Sequence, residues 1–377
     1  MLIMKKEAIT TKQLIFLMML FIFGTTSTIG VHTGVTQDAW ISTILAIIFS
    51  LPMVVVFARI ISLYPEKNLF DIMQEVFGPV TGKILIILMI WYALFAGSNV
   101  VCIINNFIKI TSLIGTPRLI ISITFIAIAA YLAISKLNGF GKGSVTVFFI
   151  VIAATVITIL MSLGKIKNFN NLFPIANHSI SQIAGGAWDI FAMPFAEVVL
   201  FLGLADVIKR KKNESIYKAF IYATLIAGVI LLIVNLRNLL LLGSYLLESS
   251  YFPSYKTARI LGIKDILERI EGLLTYNFMM AGIAKLTVCI IFAAKGTTKL
   301  FGLKNYKTLI APISLLLLSL CLVGNDNIIE IFDFIHVYKY YALPFQIIIP
   351  LIVWIGAEIK TRSDKTKSEN TQSIPEP

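Results

Sequence analysis

Two carboxylates, Asp189 and Glu197, with Pro194 between them, stand inside the apolar run GGAWDIFAMPFAEVVLFLGLAD at residues 185–206. A run of this length spans a bilayer, because about 20 apolar residues at ~1.5 Å each cover the ~30 Å hydrocarbon core. A carboxylate at mid-membrane costs roughly 2.5–3.5 kcal/mol. Pro194 removes a backbone donor and clashes with the preceding turn. Both defects are tolerated where the chain lines a protein-walled or watery cavity. An acid beside a helix break is a binding element for a cation or an ammonium; the plainer alternative is a kinked helix whose Glu197 pairs with another helix. A second break falls at 24–30, GTTSTIG, where two glycines and four hydroxyl residues weaken a helix. The alternative there is Ser and Thr back-bonding within a continuous helix.

Lys285 and Arg237 also lie inside apolar segments. Lys285 either pairs with Glu197 or sits where a cation would be held; Arg237 reads as structural, paired with the long outer loop. Glu197 lies within one turn of Pro194, where backbone groups are also free, which favours a ligand ammonium over a purely structural pair. Thr25, Thr26, Ser27, Met193 and Tyr276 are the wall candidates for a pocket between the breaks. Tyr92 and Ser98, midway along the third segment, either face that pocket or bond neighbouring helices.

The elements that position these residues follow from composition. Of 377 residues, 58% are hydrophobic and 14% charged, against about 25% charged in soluble domains. Mean hydropathy is +0.88. The net charge of +12 does not point to nucleic acid, because the basic residues punctuate apolar segments instead of pooling in one domain. Cys102, Cys289 and Cys321 sit in apolar runs and read as buried thiols, and the histidines are far apart. Neither metal spacing, nor a phosphate loop, nor a nucleophile–base pair is present, so the sequence predicts neither an enzyme nor a cofactor.

The apolar runs predict an all-α polytopic membrane protein with ten spans: 14–31, 39–63, 83–110, 119–137, 144–163, 185–206, 216–242, 273–294, 309–323 and 341–359. An amphipathic helix at 68–78 is expected to lie on the membrane surface. Ile260, Ile263, Leu267, Ile270 and Leu274 recur at helical spacing, which predicts a short helix lidding the outer mouth. Residues 1–359 form one transmembrane domain, and the charged, Ser/Thr-containing stretch 360–377 predicts a disordered cytoplasmic tail. With the N-terminus inside, 21 of the 32 Lys and Arg flank inner ends and nine flank outer ends, so both termini are cytoplasmic.

The broken segments are first and sixth, each the first helix of a five-helix half, about 14–163 and 185–359. Five is odd, so the halves insert with opposite topology. Interrupted helices at matching positions of inverted halves mark a midplane substrate site. Half-helix N-termini suit a carboxylate and unwound carbonyls suit an ammonium, which points to an amino-acid-like zwitterion.

The residues carry a resemblance nearly end to end. It comprises Ile9-Thr10 with Gln13, Phe23-Gly24-Thr25, Gln37-Asp38-Ala39-Trp40-Ile41-Ser42, Tyr64-Pro65 and Phe77-Gly78 with Gly82. Further along it comprises Asn171-Leu172-Phe173-Pro174, Phe195 with Glu197, Leu267-Glu268-Arg269 with Glu271, and Lys285. In order and spacing these resemble the B-subunit family of spore germinant receptors, GerAB-type proteins of the amino acid–polyamine–organocation superfamily. The resemblance implies a LeuT-like 5+5 inverted repeat and a place in the spore inner membrane. It also implies a receptor complex with a larger A subunit and a lipoprotein C subunit, in which the B subunit recognises an amino-acid germinant. One departure is the stretch between Gly24 and Asp38, shorter than in the family and without its proline. Three functions stay open on these residues: a ligand-sensing receptor subunit, an ion-coupled amino-acid permease, and a scaffold subunit that binds nothing.

Overall fold

A computed structural model of the chain describes residues 8–30, 34–166, 169–211, 213–261, 270–324 and 328–372. Lys5, Lys6, His32, Ile263, Leu267 and Glu268 with Arg269 lie outside the described residues. Helix α1 (Thr11–Phe23) opens on a capping box in which Thr10 and Gln13 satisfy each other's free N–H groups. It stops at Gly24, whose backbone (φ 8°, ψ −126°) has left the helix and where a Cβ would lie 2.7 Å from the Phe21 carbonyl oxygen. A single turn, α2 (Thr26–Ile29), continues to Gly30 at φ 74°, a left-handed backbone that favours glycine.

Helix α3 (Ala39–Leu63) returns across the layer, and α4 (Leu69–Thr111) joins the amphipathic stretch to the third span in one element bent at Gly78. Helices α5 (Arg118–Ile134) and α6 (Leu137–Leu163) complete the first half. The sixth span begins with α7 (Ile180–Ile190), loosens into a wide turn at Phe191–Phe195, and continues as the tightly wound helix Ala196–Val207. Then come α8 (Ile216–Glu248), α9 (Pro253–Leu261), α10 (Glu271–Phe301), α11 (Ile310–Val323) and α12 (Ile328–Leu343). A second wide turn, Pro344–Ile348, leads into α13 (Ile349–Gln372). Among the described residues nine helices are long and apolar enough to cross a membrane, and Arg118–Ile134 is a shorter apolar tenth.

The two broken helices run in opposite directions. Strand β1 (Ile9–Thr10) pairs in parallel with β2 (Ile208–Lys209), so the start of the first span and the end of the sixth share one side. Helix α10 is the central post, buried on nearly every face and packed on α4, α5, α6 and the Ala196–Val207 helix. Lipid supplies no hydrophobic drive between helices, so close approach relies on small residues. Gly203 admits the Phe292 ring, which a Cβ would meet at 2.4 Å, and Gly282 admits Ile104.

Three expectations change. The 68–78 helix forms, but Leu69, Phe70, Ile72 and Met73 are buried in protein, with Phe70 edge-on to Phe292 at 4.8 Å. The bend at Gly78 folds this apolar stripe onto the inner end of α10, where it is out of reach of lipid. The tenth span starts at Ile328, well before 341, because Lys339 is neutralised by Asp189 at 3.0 Å. Helix α13 runs through Gln372, so the described part of the expected tail is helical; neither Gly nor Pro interrupts it after Gly356.

The orientation is testable by reporter fusions at Lys211 and Tyr255. Opposite compartments are expected, cytoplasmic for Lys211; a shared compartment would remove the inverted arrangement of the halves.

Candidate functional site

The break in the sixth span is built by Met193, whose backbone is extended (φ −139°, ψ 110°), and Pro194, which has no N–H to give. The Ala192 carbonyl at the break accepts a hydrogen bond from Gln346 Nε2 at 2.7 Å. Glu197 follows in the first turn of the next helix, where the free N–H groups of a helix start favour a negative charge. Its side chain is only 3% exposed, and the Lys285 ammonium, 2% exposed, pairs with Oε2. Lys285 also lies 5.1 Å from the centroid of the Phe21 ring, a cation–π geometry. A Cβ on Gly24 would lie 3.7 Å from Lys285 Cδ. One lysine on α10 therefore touches both breaks.

A directed chain of donors ends on the same carboxylate. Gln346 Nε2 donates to the Tyr92 hydroxyl at 2.8 Å, Tyr92 and Tyr338 share a 3.3 Å bond, and Tyr338 donates to Glu197 Oε1 at 2.7 Å. Both carboxylate oxygens are occupied, as a buried charge requires. Tyr92 stacks on Phe345 at 5.1 Å, which fixes its ring.

The structure brings together most of the residues singled out above. Glu197, Lys285 and Tyr92 share one network, and Met193 and Pro194 form the break beside it. Thr25, Thr26 and Ser27 are buried at the other break, Ser27 donating to the Gly24 carbonyl at 3.2 Å. Ser98 is buried further along α4. Tyr276 does not join them. It is 37% exposed, because at its position on α10 the inward face is taken by Asn277 and Phe278. Glu197 pairs with Lys285, one of the two partners that the sequence allowed it. Tyr338 and Gln346 were not legible. Gln346 is a lone amide in an apolar run, a signal in itself, but Tyr338 lies before the span drawn from hydropathy.

The lid is present in part. Helix α9 buries Ser254, Thr257, Ala258 and Leu261 and presents Ile260 outward, so its inner face is more polar than its apolar spacing suggests. Ser254 Oγ donates to the Ser27 carbonyl, which seats α9 on α2. Burial, with Glu271 nearby, raises the Tyr255 phenol above its ordinary range, so it stays protonated and donates to the Thr111 carbonyl at 3.4 Å. On the same outer side, buried Asp38 accepts N–H bonds from Ala176 (2.8 Å) and His178 (3.0 Å), which clasps the loop before α7 onto α3. Arg237 is held by Thr158 and Asn238 of the helices themselves.

Paired broken helices around a packed post define a LeuT-fold membrane protein. The chain superposes on Mhp1, a nucleobase-cation-symport-1 family transporter, with a TM-score of 0.62 at 12% identity, covering 92% of this chain and 78% of that one. It superposes on MhsT in complex with L-phenylalanine with a TM-score of 0.63 at 12% identity, covering 92% and 98%. The sequence profile of the family described as "Spore germination protein" matches residues 8–329, and the chain belongs to that family. It is 24% identical to spore germination protein KB of Bacillus subtilis (strain 168) over 98% of this chain and 100% of that one. It is 23% identical to spore germination protein YndE of the same organism over 88% and 90%. It is 24% identical to spore germination protein A2, also from that strain, over 87% and 88%. The chain is an integral membrane protein of a permease-like family and not an enzyme.

Glu197→Ala and Lys285→Ala should each destabilise the protein by roughly 3–5 kcal/mol, because each leaves a buried charge uncompensated. The double variant should lose clearly less than the sum. Thermal unfolding of the four proteins in one detergent checks this; additive losses would show that the two side chains do not pair.

Proposed function

We propose that the chain is the germinant-sensing membrane subunit of a spore germination receptor. It binds a small amino-acid-like nutrient at mid-membrane between the two breaks and thereby triggers germination. It acts in the spore inner membrane with a larger A subunit and a lipoprotein C subunit. Family membership supports a part in germination, and the breaks supply backbone groups suited to a zwitterion. The observation that carries the choice of receptor is the Lys285–Glu197 pair. A mid-membrane carboxylate that takes up and releases a free cation is one way to couple a permease to a gradient. Here that carboxylate is occupied by a cation fixed to the chain, and both its oxygens are satisfied.

Deletion in a sporulating host should abolish germination with one nutrient stimulus and leave uptake of that nutrient normal. Saturable, gradient-dependent uptake by the purified chain in vesicles would favour the permease instead. Stereoselective binding by neither route would leave a scaffold subunit.

A further inference from the structure

A second buried polar cluster lies between α2, α6, α8, α9 and α10, and it is cationic. Arg237 on α8 is 4% exposed. Its guanidinium donates to Thr158 Oγ1 at 3.0 Å and, through Nη2 and Nε, to Asn238 Oδ1 at 2.8 and 3.2 Å. Asn238 Nδ2 donates in turn to Ser254 Oγ on α9 at 2.9 Å, and Ser254 donates to the Ser27 carbonyl at the first break. On the other side Thr155, one turn before Thr158, accepts from Asn277 of α10 at 3.2 Å.

All of these partners are neutral. Among the described residues no Asp or Glu forms an ion pair with Arg237. Two buried hydroxyls on the helices that bound the cluster also have no hydrogen-bond partner: Thr26 of α2, next to Ser27, and Thr257 of α9, one turn beyond Ser254. Buried charges in proteins are paired, and an unpaired guanidinium in a membrane interior is unfavourable. The Glu197–Lys285 network is internally neutral, whereas this cluster carries one net positive charge with hydroxyl donors around it. A planar guanidinium fork matches a carboxylate through two parallel bonds.

We propose that Arg237 is the seat of a ligand carboxylate, with the unpartnered Thr26 and Thr257 hydroxyls of α2 and α9 as further donors, so that the ligand is a small monocarboxylic acid. This rests on the ligand-sensing reading above and names the group that is recognised. Helix α9 covers the cluster, so an acid reaches Arg237 by displacing α9 from α2. Filling the seat thus breaks the Ser254–Ser27 contact and is felt directly at the first break.

The test uses the full chain in lipid nanodiscs, with the standard L-amino acids as probes and thermal unfolding as the readout. For every acid that shifts the melting temperature, its amide is titrated beside it. The amide should need ~10-fold or more higher concentration, as expected for loss of a charge-assisted bond. In Arg237→Gln the acid should weaken to the level of the amide, so that the ratio falls to about 1. An amide equal to its acid in the native chain overturns the seat alone, and so does an unchanged ratio in Arg237→Gln. Absence of any shift in the native chain rejects the sensing reading together with the seat. If Arg237→Gln does not fold, the acid-to-amide ratio of the native chain decides.

Discussion

The contact between Lys285 and Glu197 joins the three parts of this molecule that would otherwise be independent: the central post α10, the break in the first span and the break in the sixth. Each charge alone at mid-membrane is costly. Together, with Tyr338 on the second carboxylate oxygen and Phe21 beneath the ammonium, they form a closed and neutral unit. That unit has a position as well as a charge. Lys285 Cδ passes at ordinary contact distance from Gly24, 3.7 Å from where a Cβ would lie, and Glu197 follows the Met193–Pro194 interruption by one turn. The ion pair thus lies between the two breaks and packs against both.

The post has to be rigid for this to hold. Its rigidity comes from surface relief more than from hydrophobic drive, which lipid does not supply between helices. Ala281, Gly282, Ala284, Ala293, Ala294 and Gly296 give α10 a low profile, and large rings from its neighbours enter the spaces. The amphipathic start of α4 belongs to the same construction. Once Gly78 turns it inward, Phe70 meets Phe292 and the inner end of the post is covered. The outer end is handled differently, by polar clasps: Asp38 on the loop before α7, and Ser254 on α2. Clasps made of a few hydrogen bonds open at lower cost than interdigitated rings, so the two ends differ in how readily they part.

The spans and both breaks were legible because membrane helices obey one strong rule, that every backbone group be satisfied internally. Pro194, and the GTTSTIG run with its two glycines, violate helix chemistry in ways visible without coordinates. Lys285 and Glu197 were legible for the same reason, as charges in the wrong solvent. Their partnership was one of two readings left open, because residues 88 apart in sequence meet through packing that no spacing encodes. The tenth span was drawn too short since Glu330, Asp333 and Lys339 lower its hydropathy, and this hid Tyr338. The balancing partner of Lys339 is Asp189, on a different helix. Tyr276 failed as a wall residue for a geometric reason. An aromatic near a span end reads equally well as pocket or as periphery, and only the rotation of α10 decides between them.

The same logic separates the two buried clusters. In the first, donors outnumber nothing: Gln346, Tyr92, Tyr338 and Lys285 all converge on a carboxylate that can accept them. In the second, donors converge without an acid among the described residues to receive them, and neutral oxygens of Thr158 and Asn238 stand in. A fold that neutralises one charge so thoroughly has the means to neutralise another, and pairing Arg237 would have needed one carboxylate on a neighbouring helix. The asymmetry holds among the described residues. It lies on the side of the first break that α9 covers, where the closing contact is a single serine hydroxyl on a backbone carbonyl. A filled first cluster and an unfilled second one, linked through the short turn α2, form an arrangement in which a guest's charge changes the balance at one break while the other stays fixed by Lys285.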